Sequence, residues 1–164
     1  MNVFALDDDP KLCAQAHVDK HVVKMILEYA QLLSNAHHHY GSVVADALYK
    51  KTHFNHPSAV WVRQSRSNYI WLFKVYKELI AEYAHRYGRV HGTNKLTHLL
   101  ACPPKGLKDN GLTPPPPAMG DEFKVFPSPK TFNESIVNYR SYYIKGKWEL
   151  HAWKNRGKPD WIPT

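Results

Sequence analysis

The sequence predicts a mainly α protein, a compact single-domain helical fold spanning residues 1–164 with a long proline-rich loop at 103–129. Three observations predict it. Residues 11–34 and 58–87 contain neither glycine nor proline and carry apolar side chains at helical spacing. Hydrophobic residues make up 43% of the 164 and charged residues 22%, a balance that supports a core and argues against disorder. Prolines crowd 103–129, including Pro114-Pro115-Pro116-Pro117, where they exclude helix interiors and central strands.

The elements follow in order. Residues 1–6 alternate loosely, as a short strand or an extended arm does. Asp9-Pro10 offers an N-cap and a proline at the first helical position, so a helix is expected from there to about Ser34. Residues 35–55, with His37-His38-His39 and Gly41, read as a loop holding a short helix at Ala45 to Lys50. His56-Pro57 opens a second long helix, 58–87, which Gly88 closes as a C-cap. A shorter helix is expected between Thr93 and Leu100. Beyond the proline-rich loop, Lys130 to Lys145 is helical again, and a basic, aromatic segment, 139–164, ends the chain.

Composition narrows the function. Lys and Arg number 22 against 14 Asp and Glu, a net charge of +8, which favours a polyanionic partner. Two cysteines, Cys13 and Cys102, exclude a disulfide framework and a Cys-based zinc site. The opening residues run straight into Asp7-Asp8-Asp9 with no basic region and apolar stretch, so no signal peptide is expected. No apolar run approaches the ~18 residues of a membrane span. The expectation is a cytoplasmic protein with no membrane association, no metal and no cofactor.

Two clusters of residues suggest chemistry. At 100° per residue, His17, His21, Lys24 and Glu28 share one narrow polar stripe on an otherwise apolar helix. Imidazoles, an amine and a carboxylate on one face can divide acid, base and electrostatic roles, and Lys24 with Glu28 can also be an ordinary i,i+4 ion pair. His17 and His21 have the spacing of a metal pair, but no third ligand accompanies them. The second cluster is basic and aromatic. Lys130, Arg140, Lys145, Lys147, Lys154, Arg156 and Lys158 face only Glu134 and Glu149, and they interleave with Tyr139, Tyr142, Tyr143, Trp148 and Trp153. Phosphate attraction with base stacking accounts for that pattern, as does an aromatic core with a lysine rim. His56, Arg63 and Arg66, at the entry of the second long helix, extend the candidate nucleic-acid surface.

The order of these features resembles the pyrimidine-dimer DNA glycosylase (phage endonuclease V-like) family. The resemblance rests on the Met1-Asn2-Val3-Phe4 start, the striped first helix, Asn55-His56-Pro57, the segment Lys77–Gly88 and the Tyr-rich 139–147. It implies a metal-free, mainly helical enzyme whose N-terminal α-amine attacks the sugar C1′ of a damaged nucleotide in duplex DNA. A glutamate on the first helix assists, and strand cleavage follows by β-elimination. The nucleophile implied here is the amine of Met1, or of Asn2 after processing. An ungapped alignment that pairs His17 with the family's histidine places Lys24 at the glutamate position, with Glu28 one turn later. Alternatives from other classes are a non-catalytic nucleic-acid-binding protein, a phage-encoded regulator that binds a protein partner, and an enzyme acting on nucleotides or modified bases.

Overall fold

The computed structural model describes residues 1–164, and every regular element in it is helical. Six α-helices form: α1 (Pro10–Ala16), α2 (Asp19–His39), α3 (Pro57–Val62), α4 (Arg66–Tyr87), α5 (Thr97–Leu100) and α6 (Phe132–Gly146). Short 3-10 turns lie at Ala45–Ala47, Gly92–Leu96, Asp121–Phe123 and Trp148–Leu150.

Each expected long helix is broken once. The carboxylate of Asp9 caps α1 by accepting from the amides of Lys11 (2.8 Å) and Leu12 (3.1 Å), and Pro10 occupies the first helical turn. At His17 and Val18 the backbone turns extended and ends it. Residues outside α1 occupy its terminal carbonyls: Arg86 donates to Gln15 O (2.9 Å) and His17 O (2.8 Å), and Trp153 Nε1 donates to Ala16 O (2.9 Å). The one helix expected from Pro10 to Ser34 is therefore two.

Helix α2 also runs past Ser34 to His39, so the triple histidine lies in a last turn rather than in a loop. Asn35 stays helical because its amide pairs twice with the backbone of Thr52, donating to the carbonyl and accepting from the N–H. Only a 3-10 turn forms where a helix over 45–50 was expected. The second long helix divides at Arg63–Ser65 into α3 and α4. The expected cap at Gly88 is present, with φ 68°. The region 93–100 combines the 3-10 turn Gly92–Leu96 with α5.

The proline-rich segment 103–129 has no α-helix, as expected, and its polar groups tie it to α3, α4 and α6. Ser135 Oγ donates to Pro115 O, Tyr139 Oη donates to Pro116 O, and Trp61 Nε1 donates to Thr113 O. The Asp109 carboxylate accepts from the amides of Ser67 and Gly111 and from the hydroxyls of Ser65 and Ser67, which holds the carboxyl down to about 2. Helix α6 begins with a capping box between Thr131 and Glu134.

The core contains 33 buried hydrophobic residues drawn from all six α-helices and from residues 3–6. That last contribution is decisive for the site. The N-terminal segment is an extended arm with no strand partner, and it is buried like a core element.

Candidate functional site

The arm is held by its backbone as much as by its side chains. Phe4 N–H donates to Tyr29 Oη (3.0 Å), Cys13 Sγ donates to Phe4 O (3.2 Å), and Arg140 Nε donates to Leu6 O (2.8 Å). Val3, Phe4, Ala5 and Leu6 are buried, and the half-buried Met1 and Asn2 project beyond them. The N-terminal ammonium lies near the His56 ring: burial first, then this positive charge and His53, lower the His56 pKa. His56 Nδ1 accepts from Ser58 N–H (3.0 Å), so His56 caps α3.

Phe4 is the hub of an aromatic cluster. Its ring stacks on His21 at 4.3 Å between centroids and meets His17, Tyr139 and Tyr143 at steeper angles. His17 is fully buried. Its Nδ1 donates to Cys13 O (2.7 Å), which leaves Nε2 to accept from Tyr29 Oη (2.9 Å). Burial pushes its pKa down to about 4, so the ring is neutral at physiological pH. With both nitrogens paired inside the core, His17 holds α1 to α2 and is not placed to touch a substrate.

His21 differs. Tyr143 Oη accepts from Val18 N–H (3.3 Å) and gives its own proton to His21 Nδ1 (2.7 Å). The remaining proton then sits on Nε2, which has no partner in the chain and is not enclosed by it. Burial, with the charges of His17, Lys147 and Lys24, pushes the His21 pKa down to about 3.

Further along α2, Lys24 Nζ lies 3.5 Å from Glu28 Oε2, an ion pair without hydrogen-bond geometry. That oxygen is enclosed yet has no hydrogen-bond partner, although the Lys24 side chain is largely exposed. Lys24 and Glu28 line an open cleft of about 710 Å³ between α2 and the 3-10 turn at Gly92–Leu96. Tyr49, His91, Thr93 and Lys95 form its other wall, and Tyr49 Oη hydrogen-bonds Thr93 Oγ1 (3.0 Å). These wall residues carry no sequence motif; only the packing of 91–95 against α2 identifies them. Met1 and Asn2 do not line this cleft.

Residues 1–95, more than half of the chain, match the sequence model of a family described as pyrimidine dimer DNA glycosylase. The chain belongs to this family. No curated protein and no solved structure matches it. The pyrimidine dimer DNA glycosylase match contains the arm, α1 to α4, Glu28 and every residue lining its cleft, and it stops before the proline-rich loop and the C-terminal segment.

That C-terminal segment divides on burial. Tyr139 and Tyr143 are fully buried, so neither ring is open to a base, and the expectation that they stack on nucleic acid gives way to a core role. Burial pushes both phenols well up, as it does Tyr29. Arg140 is engaged by Leu6 O and Asp7 and lies 5.0 Å over the Trp161 ring. Tyr142 is half-buried, with Lys147 Nζ 5.1 Å above its ring, and Lys145 and Trp148 are exposed. Near α3, Arg63 donates to Phe54 O (2.7 Å) and lies 4.1 Å over the Phe54 ring, so it holds the 53–56 turn in place. Arg66 is exposed. The structure thus gathers Phe4, His21, Tyr142 and Lys147 at one place, sets Lys24 and Glu28 beside them along α2, and leaves His56, Arg63 and Arg66 on another element.

Proposed function

We propose that this protein is a DNA glycosylase with lyase activity that acts on a damaged pyrimidine in duplex DNA through an imine. The observation that carries the reading is the buried arm: residues 3–6 are fixed against α2 and α6, so the amine that precedes them is tethered close to the fold. Two residues beyond Val3 give that amine a reach of about 7 Å. The amine is that of Met1, or of Asn2 where Met1 is removed.

The amine lone pair attacks C1′, and the C1′–N bond breaks with its electron pair leaving on the base, which takes up a proton. The nitrogen then loses its remaining proton as the C1′–O4′ bond breaks, its electron pair going to O4′, which takes up a proton, and the opened sugar is held as the imine. The Glu28 carboxylate then accepts a proton from C2′, and the electron pair released expels the 3′ phosphate by β-elimination. Glu28 lines the open cleft, where its carboxylate can meet a sugar. Helix register supports its assignment. Pairing His17 with the family's histidine sets Lys24 at the glutamate position, but His17 precedes α2. Moving four residues along pairs His21 and Glu28 instead, with the same separation of seven.

The test is borohydride trapping on duplexes bearing an abasic site or a thymine dimer. A covalent adduct is expected from the native chain and none after the α-amine is blocked. Glu28→Gln is expected to slow strand cleavage by roughly 10²- to 10⁴-fold, the usual worth of a positioned acid or base, while DNA binding persists. An adduct that survives blocking would move the nucleophile to a lysine such as Lys24. Tight, salt-dependent binding with no adduct on any lesion would leave a non-catalytic DNA-binding protein.

A further inference from the structure

We propose that His21 Nε2–H, flanked by Lys24 and Lys147, binds one backbone phosphodiester of the DNA, as a fixed hydrogen-bond donor rather than as an acid or base. The inference rests on DNA being the substrate, and it does not depend on the imine.

Four observations place an anion there. The Tyr143 hydroxyl, itself accepting from Val18 N–H, donates to Nδ1, which fixes the tautomer with the proton on Nε2. The Phe4 ring stacked at 4.3 Å fixes the imidazole plane, so the donor has one direction. The residue is only 5% exposed, and Nε2 is its one polar atom left without a partner in the chain. The standing charges bearing on the ring, Lys147 and Lys24, are positive. A preorganised N–H between two lysines has no protein acceptor to serve, and an anionic oxygen completes it.

DNA supplies that oxygen in the right place. His21 and Glu28 lie on the same helix, seven residues and about 10 Å apart along its axis, close to the rise of three nucleotides. With a sugar at Glu28, a phosphate seated on His21 lies within about three nucleotides of the lesion. Lys147 comes from the end of α6, so the C-terminal segment contributes to the site.

The experiment uses the full chain and a duplex carrying a tetrahydrofuran abasic analogue, which cannot form an imine. Single neutral methylphosphonates are walked along each strand, and binding is measured for the native chain, His21→Phe and Lys147→Ala. In the native chain one position within about three nucleotides of the analogue is expected to lose roughly tenfold in affinity, the worth of a charge-assisted hydrogen bond. Both variants are expected to bind the unmodified duplex more weakly and to show no further loss at that position. The salt dependence for Lys147→Ala is expected to fall by about one ion. Lys147 is at the surface, so its variant keeps the test valid if His21→Phe fails to fold.

An interference pattern unchanged in both variants would overturn the proposal, as would a native chain that no neutral linkage near the lesion weakens. Trapping separates the two readings. An adduct with an unchanged pattern retains the imine and removes the phosphate site, whereas no adduct with a pattern lost in the variants retains the site and removes the imine.

Discussion

Burial decides what each aromatic residue of the C-terminal segment can do. Tyr139, Tyr142, Tyr143 and Trp148 are all candidate stacking residues in the sequence, yet Tyr139 and Tyr143 are sealed in the core and Trp148 is 62% exposed. Trp148→Ala is expected to weaken binding to a DNA duplex with an unstacked base by about 1–3 kcal/mol, with the melting temperature unchanged. Tyr139→Ala removes a buried ring and the hydroxyl that donates to Pro116 O, and it is expected to destabilise the fold by about 3–5 kcal/mol. Urea unfolding and fluorescence-anisotropy titration of the two variants check this, and loss of stability in Trp148→Ala would contradict the assignment. The stripe on α2 divides in the same way. His17 and His21 have the same residue type and a four-residue spacing, but one has both nitrogens satisfied inside the protein and the other has only one.

At the level of elements, α1 and α2 are held to α4 by a buried ionic junction. Arg86 on α4 is fully buried and pairs with Glu82 (2.8 Å) and Asp19 (2.9 Å), and it donates to the last carbonyls of α1. Arg156, from the tail, closes on the same Glu82 at 2.6 Å. Burial alone would push the Glu82 carboxyl up, but Arg156 and Arg86 outweigh it and hold the pKa below the usual value. Arg86→Met strands two carbonyls and weakens the α1–α2 junction. It is expected to cost about 3–5 kcal/mol in chemical unfolding, the scale of breaking a buried pair, and Arg156→Ala, at a more exposed pair, less than that. Equal losses in the two variants would show that the carbonyl contacts contribute little. Periodicity made both long helical stretches legible, the Asp9-Pro10 entry and the Gly88 cap marked two of their ends, and a helix was expected over Lys130 to Lys145, where α6 forms. The breaks at His17-Val18 and at Arg63–Ser65 were not legible, because the groups that satisfy the interrupted backbone are distant in sequence. Arg86 and Trp153 serve the first break, and Asp109 serves the second.

Across the whole molecule, three histidines are buried in neutral form. Burial is the first cause in each case, with pKa values of about 4 for His17, about 3 for His21 and about 4 for His37. In the unfolded chain each titrates near 6.5. Above that value both states are neutral and stability is full. As pH falls below it the unfolded chain takes up protons that the native protein refuses, so stability declines until the native groups protonate near pH 4. The decline is about 1.4 kcal/mol per pH unit for each histidine fully titrating. Urea midpoints are therefore expected to drop steeply between pH 6.5 and pH 4.5 and to be flat from pH 7 to pH 8, and a flat profile through pH 5 would contradict the burial assigned to these rings.

The sequence by itself determined the helical class, the proline-rich excursion, the basic charge and the residues from which a site could be drawn, because these depend on composition and on periods of a few residues. Local spacing also placed Lys24 and Glu28 one turn apart. Only the tertiary structure decided that residues 3–6 are core, that both ring nitrogens of His17 are paired inside the protein while His21 keeps one unpaired, and that a cleft wall comes from 91–95. The physical reason is that burial and hydrogen-bond satisfaction depend on which groups arrive from elsewhere in the chain. Tyr143 lies 122 residues from the His21 ring that it orients, and no local pattern encodes that distance.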